Sequence, residues 1–159
     1  MDFVQIHLIL NHLPPIGALF ALIAVIAGAL RNEDAVLRLG LVVGTAALSL
    51  IVPVYLTGER AEEVAERLPG VTEELIHEHE EAAEAALAVA LVAAAVSGGG
   101  LVAWRLSPRL KRAAVSATVV LYLAALGAAT NAGRLGGEIR HSELRGSPPA
   151  ASALSEHEQ

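Results

Sequence analysis

Four apolar stretches, each close to the length that crosses a bilayer, constrain this chain more than any other feature. They run from about Leu13 to Leu30, Leu39 to Leu56, Ala85 to Trp104 and Ala113 to Asn131. A hydrocarbon core about 30 Å thick takes about 20 residues of helix to cross. No water inside it can satisfy main-chain N–H and C=O groups, so each stretch must bond to itself as a helix. The expected fold class is all-α, an integral membrane four-helix bundle over residues 1–145. Residues 146–159 carry Pro, Ser, Ala and charge without periodicity and read as a disordered tail. The charged fraction, 18%, is well below the roughly 25% of ordinary soluble domains and points the same way. The first stretch does not read as a cleaved signal peptide. It has no basic region before it, its apolar run is too long, and no small-residue cleavage site precedes Arg31.

The connections differ in charge. Arg31 and Arg38 flank the first, and Arg105, Arg109, Lys111 and Arg112 fill the third. The second, from Gly58 to Glu81, is rich in glutamate. Basic loops stay on the cytoplasmic side, so the acidic connection and both termini are expected outside. Within that connection Ala61 to Leu68 reads as a short amphipathic outer helix between the second and third spans. Pro69-Gly70 breaks it, and Thr72 caps a long helix that enters the membrane.

The histidines carry the chemistry. Of the six, His7, His12, His77, His79 and His141 all fall at helix ends on the expected outer side, His157 lies in the tail, and the basic loops have none. A lone histidine is commonly a mere interfacial residue, but bundle helices are also where side chains converge on cofactors. The chain has no cysteine, and Met1 is its only methionine. That removes thiolate zinc, iron–sulfur clusters, blue copper, a C-x-x-C-H haem attachment and an axial Met. The net charge of -6 argues against nucleic acid. What remains is a b-type haem between histidines, or a zinc, copper or iron ion at a His/Glu site drawn from His7, His12, His77, His79 and His141. For haem, Ala83, Ala86 and Ala90 share the face of His79 and leave room for a flat ring. Gly133, Gly136 and Gly137 permit close backbone approach, and Arg134 and Arg140 suit haem propionates. Each feature has a plainer reading: alanine stripes pack helices, and glycines end them.

His77 and His79 stand about 200° apart around a helix of ~3.6 residues per turn, so they cannot serve one centre. His77 shares its face with Glu73, Glu74, Glu81 and Glu84; His79 shares its face with the alanines. His79 is therefore the expected haem ligand of the third span, with His12 and His141 its leading partners and His7 next. Glu74…His77 and Glu138…His141 repeat the Glu-x-x-His spacing of carboxylate-bridged di-iron bundles, but the first two spans offer only Asp2 and Glu59 to complete such a site. No catalytic constellation is visible: Ser49, Ser97 and Ser116 sit in apolar helices with no His or Asp near in sequence.

The run Ile6-His7…Asn11-His12-Leu13-Pro14-Pro15-Ile16-Gly17 resembles the opening of a family of small bacterial four-helix membrane proteins of unknown function. Its members begin with a His-Pro and a His-Phe-Pro-Ile-Gly run. Asn131-Ala132-Gly133-Arg134-Leu135-Gly136-Gly137-Glu138-Ile139-Arg140-His141 is similar to its closing Thr-Gly, Gly-Gly and His. Thr57-Gly58 and His77/His79 fall where the family has a Thr-Gly or Ala-Gly and a His. Leu8, Leu13 and Asn131-Ala132-Gly133 depart from the pattern, and the resemblance spans about residues 6–143. It implies a multi-pass protein of the bacterial cytoplasmic membrane. Members found beside Rieske and other redox proteins tilt expectation toward electron transfer rather than catalysis.

The resulting expectation is a membrane b-type cytochrome with one or two haems near the outer face. Its cofactor-binding residues would be His7, His12, His79, His141, Arg134 and Arg140. The alternatives are a non-haem His/Glu metal protein and a cofactor-free structural subunit. Lipid, a second copy of the chain, and a basic redox partner such as a c-type cytochrome at the acidic face are the expected partners.

Overall fold

The computed structural model describes residues 3–103 and 107–141; the tail at 146–159, with Arg145 and His157, lies outside them. The described residues form α1 (Phe3–Leu10), α2 (Leu13–Arg31), α3 (Asp34–Ser49), α4 (Ile51–Ala65), α5 (Glu73–Ala103) and α6 (Pro108–Arg140). In membrane terms these are four spans, because α1 with α2 and α3 with α4 are nearly continuous. All four are long and apolar enough to cross a bilayer. At the level of the spans the bundle is up-and-down: α2 packs on α3, α3 on α5, α5 on α6, and α6 closes back on α2.

Both breaks in the first half are made by proline. Pro14 and Pro15 have no N–H to return to the carbonyls of Leu10 and Asn11, so α1 stops and α2 begins with its prolines in the first turn. Pro53 likewise cannot bond the Ser49 carbonyl. The chain tightens there, with Leu50 N–H donating to Ala47 at 3.2 Å, before α4 resumes. No proline interrupts α5 or α6, which run 31 and 33 residues unbroken.

The expected outer helix at Ala61–Leu68 is not a separate element. Residues 61–65 are the last turns of α4, because nothing between Pro53 and Pro69 interrupts the helix and the segment is rich in Ala and Glu. The turn comes later, at Gly70, whose φ of 76° suits glycine. Thr72 then caps α5, its Oγ1 accepting from Leu75 N–H. Ser107 caps α6 in the same way, with Pro108 behind it.

The core is made of small residues. Ala18, Ala21 and Val25 of α2 meet Leu37, Leu41 and Leu48 of α3, Ala90, Ala93 and Ala94 of α5, and Tyr122 and Ala125 of α6. Glycine lets α2 and α3 touch backbone to backbone. A Cβ on Gly28 would stand 2.5 Å from the Leu37 amide nitrogen, and one on Gly40 would stand 2.8 Å from that of Val25. Gly44 leaves the space that the Tyr122 hydroxyl fills. That hydroxyl donates to Ser97 at 2.6 Å, and Ser97 donates to the Leu41 carbonyl at 2.9 Å, so one polar chain ties α6, α5 and α3 together. Large apolar side chains cover the outside, among them Leu30 at 78% and Val120 at 65% exposed, as a lipid-facing surface requires.

Lys111 reaches Asp34 at 2.5 Å, placing the starts of α3 and α6 at one end of the bundle with both basic connections. The acidic connection, α1 and the end of α6 occupy the other. The two ends of the molecule thus differ in charge as the sequence requires.

Candidate functional site

At the acidic end two of the five described histidines, His7 and His79, are half-buried against a neighbouring helix. His7 on α1 is half-buried against α4, where its Nδ1–H is shared between the Val54 carbonyl at 3.1 Å and the Thr57 hydroxyl at 3.4 Å. Thr57 spends its own proton on the Pro53 and Val54 carbonyls, leaving its oxygen free to accept. His79 on α5 is half-buried against α6, where its Nδ1–H donates to the Ala132 carbonyl at 3.0 Å. The two rings are close enough to interact electrostatically.

A carbonyl can only accept, so in both rings Nδ1 carries the proton. The neutral ring then has its lone pair on Nε2, the tautomer that a second hydrogen bond imposes on metal-ligating histidines. Glycine makes room for each ring. A Cβ on Gly58 would meet Cε1 of His7 at 3.1 Å, and one on Gly136 would meet Cε1 of His79 at 3.0 Å. Val54, Ile76, Ala82 and Leu135, near the two histidines or their carbonyl partners in sequence, are buried.

The other sequence candidates are placed differently. His12 is exposed, and its Nδ1 is held by the Leu8 carbonyl of its own chain turn at 2.9 Å. His141 is exposed just past the end of α6, with its main-chain N–H on the Gly137 carbonyl. The histidine whose charge acts on His79 is His7. His7 is carried there by the packing of α1 on α4. His77 faces water, its side chain 69% exposed beside Glu80 and Glu81 at 3.8 and 3.4 Å, on the far side of α5 from His79. Arg134 is engaged with Glu138 and Asn131, so it is not held ready for a propionate. Arg140 ends α6 and is exposed. No three histidine or carboxylate side chains gather into a metal-ion site among the described residues.

The alanine stripe is not an open floor. Ala86 and Ala90 are buried, at 4% and 3% exposure, against neighbouring helices. Close helix packing fills the room that was expected on this face below His79.

Two features were not singled out from sequence, and a third, the acidic face, was expected without its pairing across helices. The Val54 and Ala132 carbonyls have no side-chain signature. Asn11 lies one turn beyond His7 on the same helical face, a spacing that was visible, and its side-chain oxygen is buried with no partner among the described residues. Finally, Tyr55, Glu59 and Glu62 of α4 confront Glu80 and Glu84 of α5, close enough for their charges to act on one another. This concentrates the acidic character of the end beside the histidine pair.

No protein-family model matches the sequence, and no curated protein or solved structure is significantly similar to it.

Proposed function

We propose that the chain is a membrane-bound b-type cytochrome, an electron-transfer protein, in which His7 and His79 would hold a haem b near the outer face. The observation that carries this reading is the pair of Nδ1–H···O=C bonds, which leave both Nε2 atoms for iron. Two imidazoles suffice for haem, whose ring supplies the other four ligands; a bare zinc or copper ion would need a third donor from the protein. Haem, when bound, supplies a one-electron couple. The chain's own part is to fix ring orientation, surround the rings with buried apolar side chains such as Val54 and Leu135, and present an acidic surface.

That surface, Glu59, Glu62, Glu66, Glu80 and Glu84, is suited to a basic soluble partner such as a c-type cytochrome. Charge complementarity of this kind acts mainly on association rate and fades with salt. Replacing Glu59, Glu62 and Glu66 by Gln is expected to slow electron exchange at low salt and to change little at high salt. In orientation, both termini are outside a bacterial inner membrane. Reporter fusions at Glu33 and Leu110 should then score cytoplasmic, and a fusion after Gly146 external.

The test is the reduced-minus-oxidised spectrum of the purified protein with a haem and metal assay. His7→Ala and His79→Ala are each expected to abolish a low-spin haem signal. His12→Ala and His77→Ala should keep most of it. Stoichiometric zinc or copper without haem would replace this reading by a His/Glu metal site. A protein with neither would be a structural subunit.

A further inference from the structure

The two histidine environments are the same arrangement built twice. In the first half, a histidine on the outward-starting helix (His7) donates to a carbonyl on the returning helix (Val54), and a glycine four residues later (Gly58) takes the ring. In the second half His79 donates to Ala132, and the glycine four residues later is Gly136. The offsets between halves are 79 − 7 = 72 for the histidine, and 132 − 54 = 78 and 136 − 58 = 78 for the carbonyl and glycine. Because α4 and α6 both run from the basic toward the acidic end, the four-residue step has the same sense in each. The flanking sequences, Pro53-Val54-Tyr55-Leu56-Thr57-Gly58 and Asn131-Ala132-Gly133-Arg134-Leu135-Gly136, have little in common but the spacing. Helix packing alone does not ask for a ring-sized gap at a glycine in both hairpins, one turn past the carbonyl that the ring uses.

We infer that Val54 with Gly58, and Ala132 with Gly136, are the positioning residues of two equivalent imidazole half-sites, one from each hairpin, that present both Nε2 lone pairs to a single shared centre. The nature of that centre, a haem iron, rests on the function proposed above; the half-sites themselves do not. A side chain at either glycine forces its own ring to yield by a few tenths of an ångström, and with it the Nδ1–H bond that sets the tautomer. The stoichiometry is one haem per chain, since the two half-sites serve one centre and no glycine is seen to take the ring of His12, whose Nδ1–H bonds only within its own helical turn.

The experiment uses the full-length protein in detergent micelles, labelled with 15N-histidine and free of cofactor. Long-range proton–nitrogen correlation spectra report the tautomer of each ring. In the unaltered protein His7 and His79 are expected as the Nδ1–H form, which is the minor form of free imidazole. Gly58→Ala should displace only the His7 signals and Gly136→Ala only those of His79. Gly133→Ala, which meets nothing within 4 Å, should displace neither, and circular dichroism checks that each variant keeps its helices. Haemin titration should saturate at one equivalent and weaken by about 10–100-fold in either glycine variant, as for other outer contacts of ligating histidines. Nε2–H tautomers in the unaltered protein, or glycine variants that disturb both rings or neither, would overturn the half-sites. Saturation at two equivalents would overturn the shared centre. Correct tautomers with no haemin bound would leave the half-sites standing and remove the haem.

Discussion

The first hairpin, α1 to α4, and the second, α5 and α6, reach the same histidine geometry by different routes. The first bends twice at proline and is sealed by glycines that bring α2 and α3 into backbone contact. The second has no proline break; it packs through alanine, and Gly99, Gly127 and Gly133 look outward with nothing within 4 Å. The comparison teaches that position along a helix does not decide what a glycine is for. What stands opposite its missing Cβ does. In a bilayer, where lipid competes equally for apolar surface, that close approach is a large part of what holds helices together.

The largest expected effect follows from this contrast. Gly28→Ala and Gly40→Ala would drive a methyl into the backbone of the facing helix, and each should cost about 1–3 kcal/mol. Gly99→Ala and Gly127→Ala should be neutral or stabilising by up to about 1 kcal/mol, the usual gain over glycine within a helix. Unfolding in mixed micelles measures all four. Equal losses in both hairpins would remove the distinction drawn here.

A second, smaller effect separates the hairpins at the site. Pro53→Ala restores an N–H to the Ser49 carbonyl and allows α3 and α4 to run on as one helix. Val54 would then turn away from His7, losing a hydrogen bond with a net value of about 1 kcal/mol. The His7 ring signals should shift while those of His79, on the unbroken hairpin, stay where they are. Movement of both would mean that the two rings are coupled more tightly than their separate seats imply.

The spans were legible because hydropathy over some 20 residues is a strong local signal, and so was the His77/His79 distinction, which needs only the helical repeat. The start of α5 was legible too, because Thr72 reads as the cap of a long helix and the structure has it there. The end of α6 was not: hydropathy placed the fourth span at Ala113–Asn131, whereas α6 runs to Arg140. Apolarity marks the membrane and not the helix, and glutamate and alanine continue a helix well into water. That His7 would be the half-buried ring acting on His79 was not readable. It depends on how α1 packs on α4 and α5 on α6, a long-range outcome that no spacing within one helix encodes.

A third effect concerns the polar chain that joins the hairpins. Ser97→Ala strands the Tyr122 hydroxyl in the apolar core, and Tyr122→Phe removes it. Hydrogen bonds between membrane helices average about 0.6 kcal/mol by double-mutant cycles. The two substitutions should therefore couple by roughly that amount. A coupling near zero would make Gly44 and the shape of Tyr122, with no help from the hydrogen bond, the link between α3 and α6.

Thr118, one turn before Tyr122 on α6, gives the smallest expected effect and the opposite sign. It is fully buried, and its Oγ1 has no partner among the described residues. A buried hydroxyl with no hydrogen bond is a cost, and replacing it by an apolar group of the same shape is neutral or favourable. Thr118→Val keeps the branched volume and deletes only the stranded polarity. The change should thus lie between zero and about 1 kcal/mol of stabilisation, measured in the same micelles as Ser97→Ala. The pair tests the chain as a whole, because both hydroxyls lie in the same core and differ in whether a second helix answers them. A clear loss in Thr118→Val would mean that Thr118 does have a partner, and the simplest one is a buried water bonded to the hydroxyl. In that case Thr118 would join Ser97 and Tyr122 in holding α6 to the first hairpin, and the second hairpin would depend on polar contacts more than its alanine packing indicates.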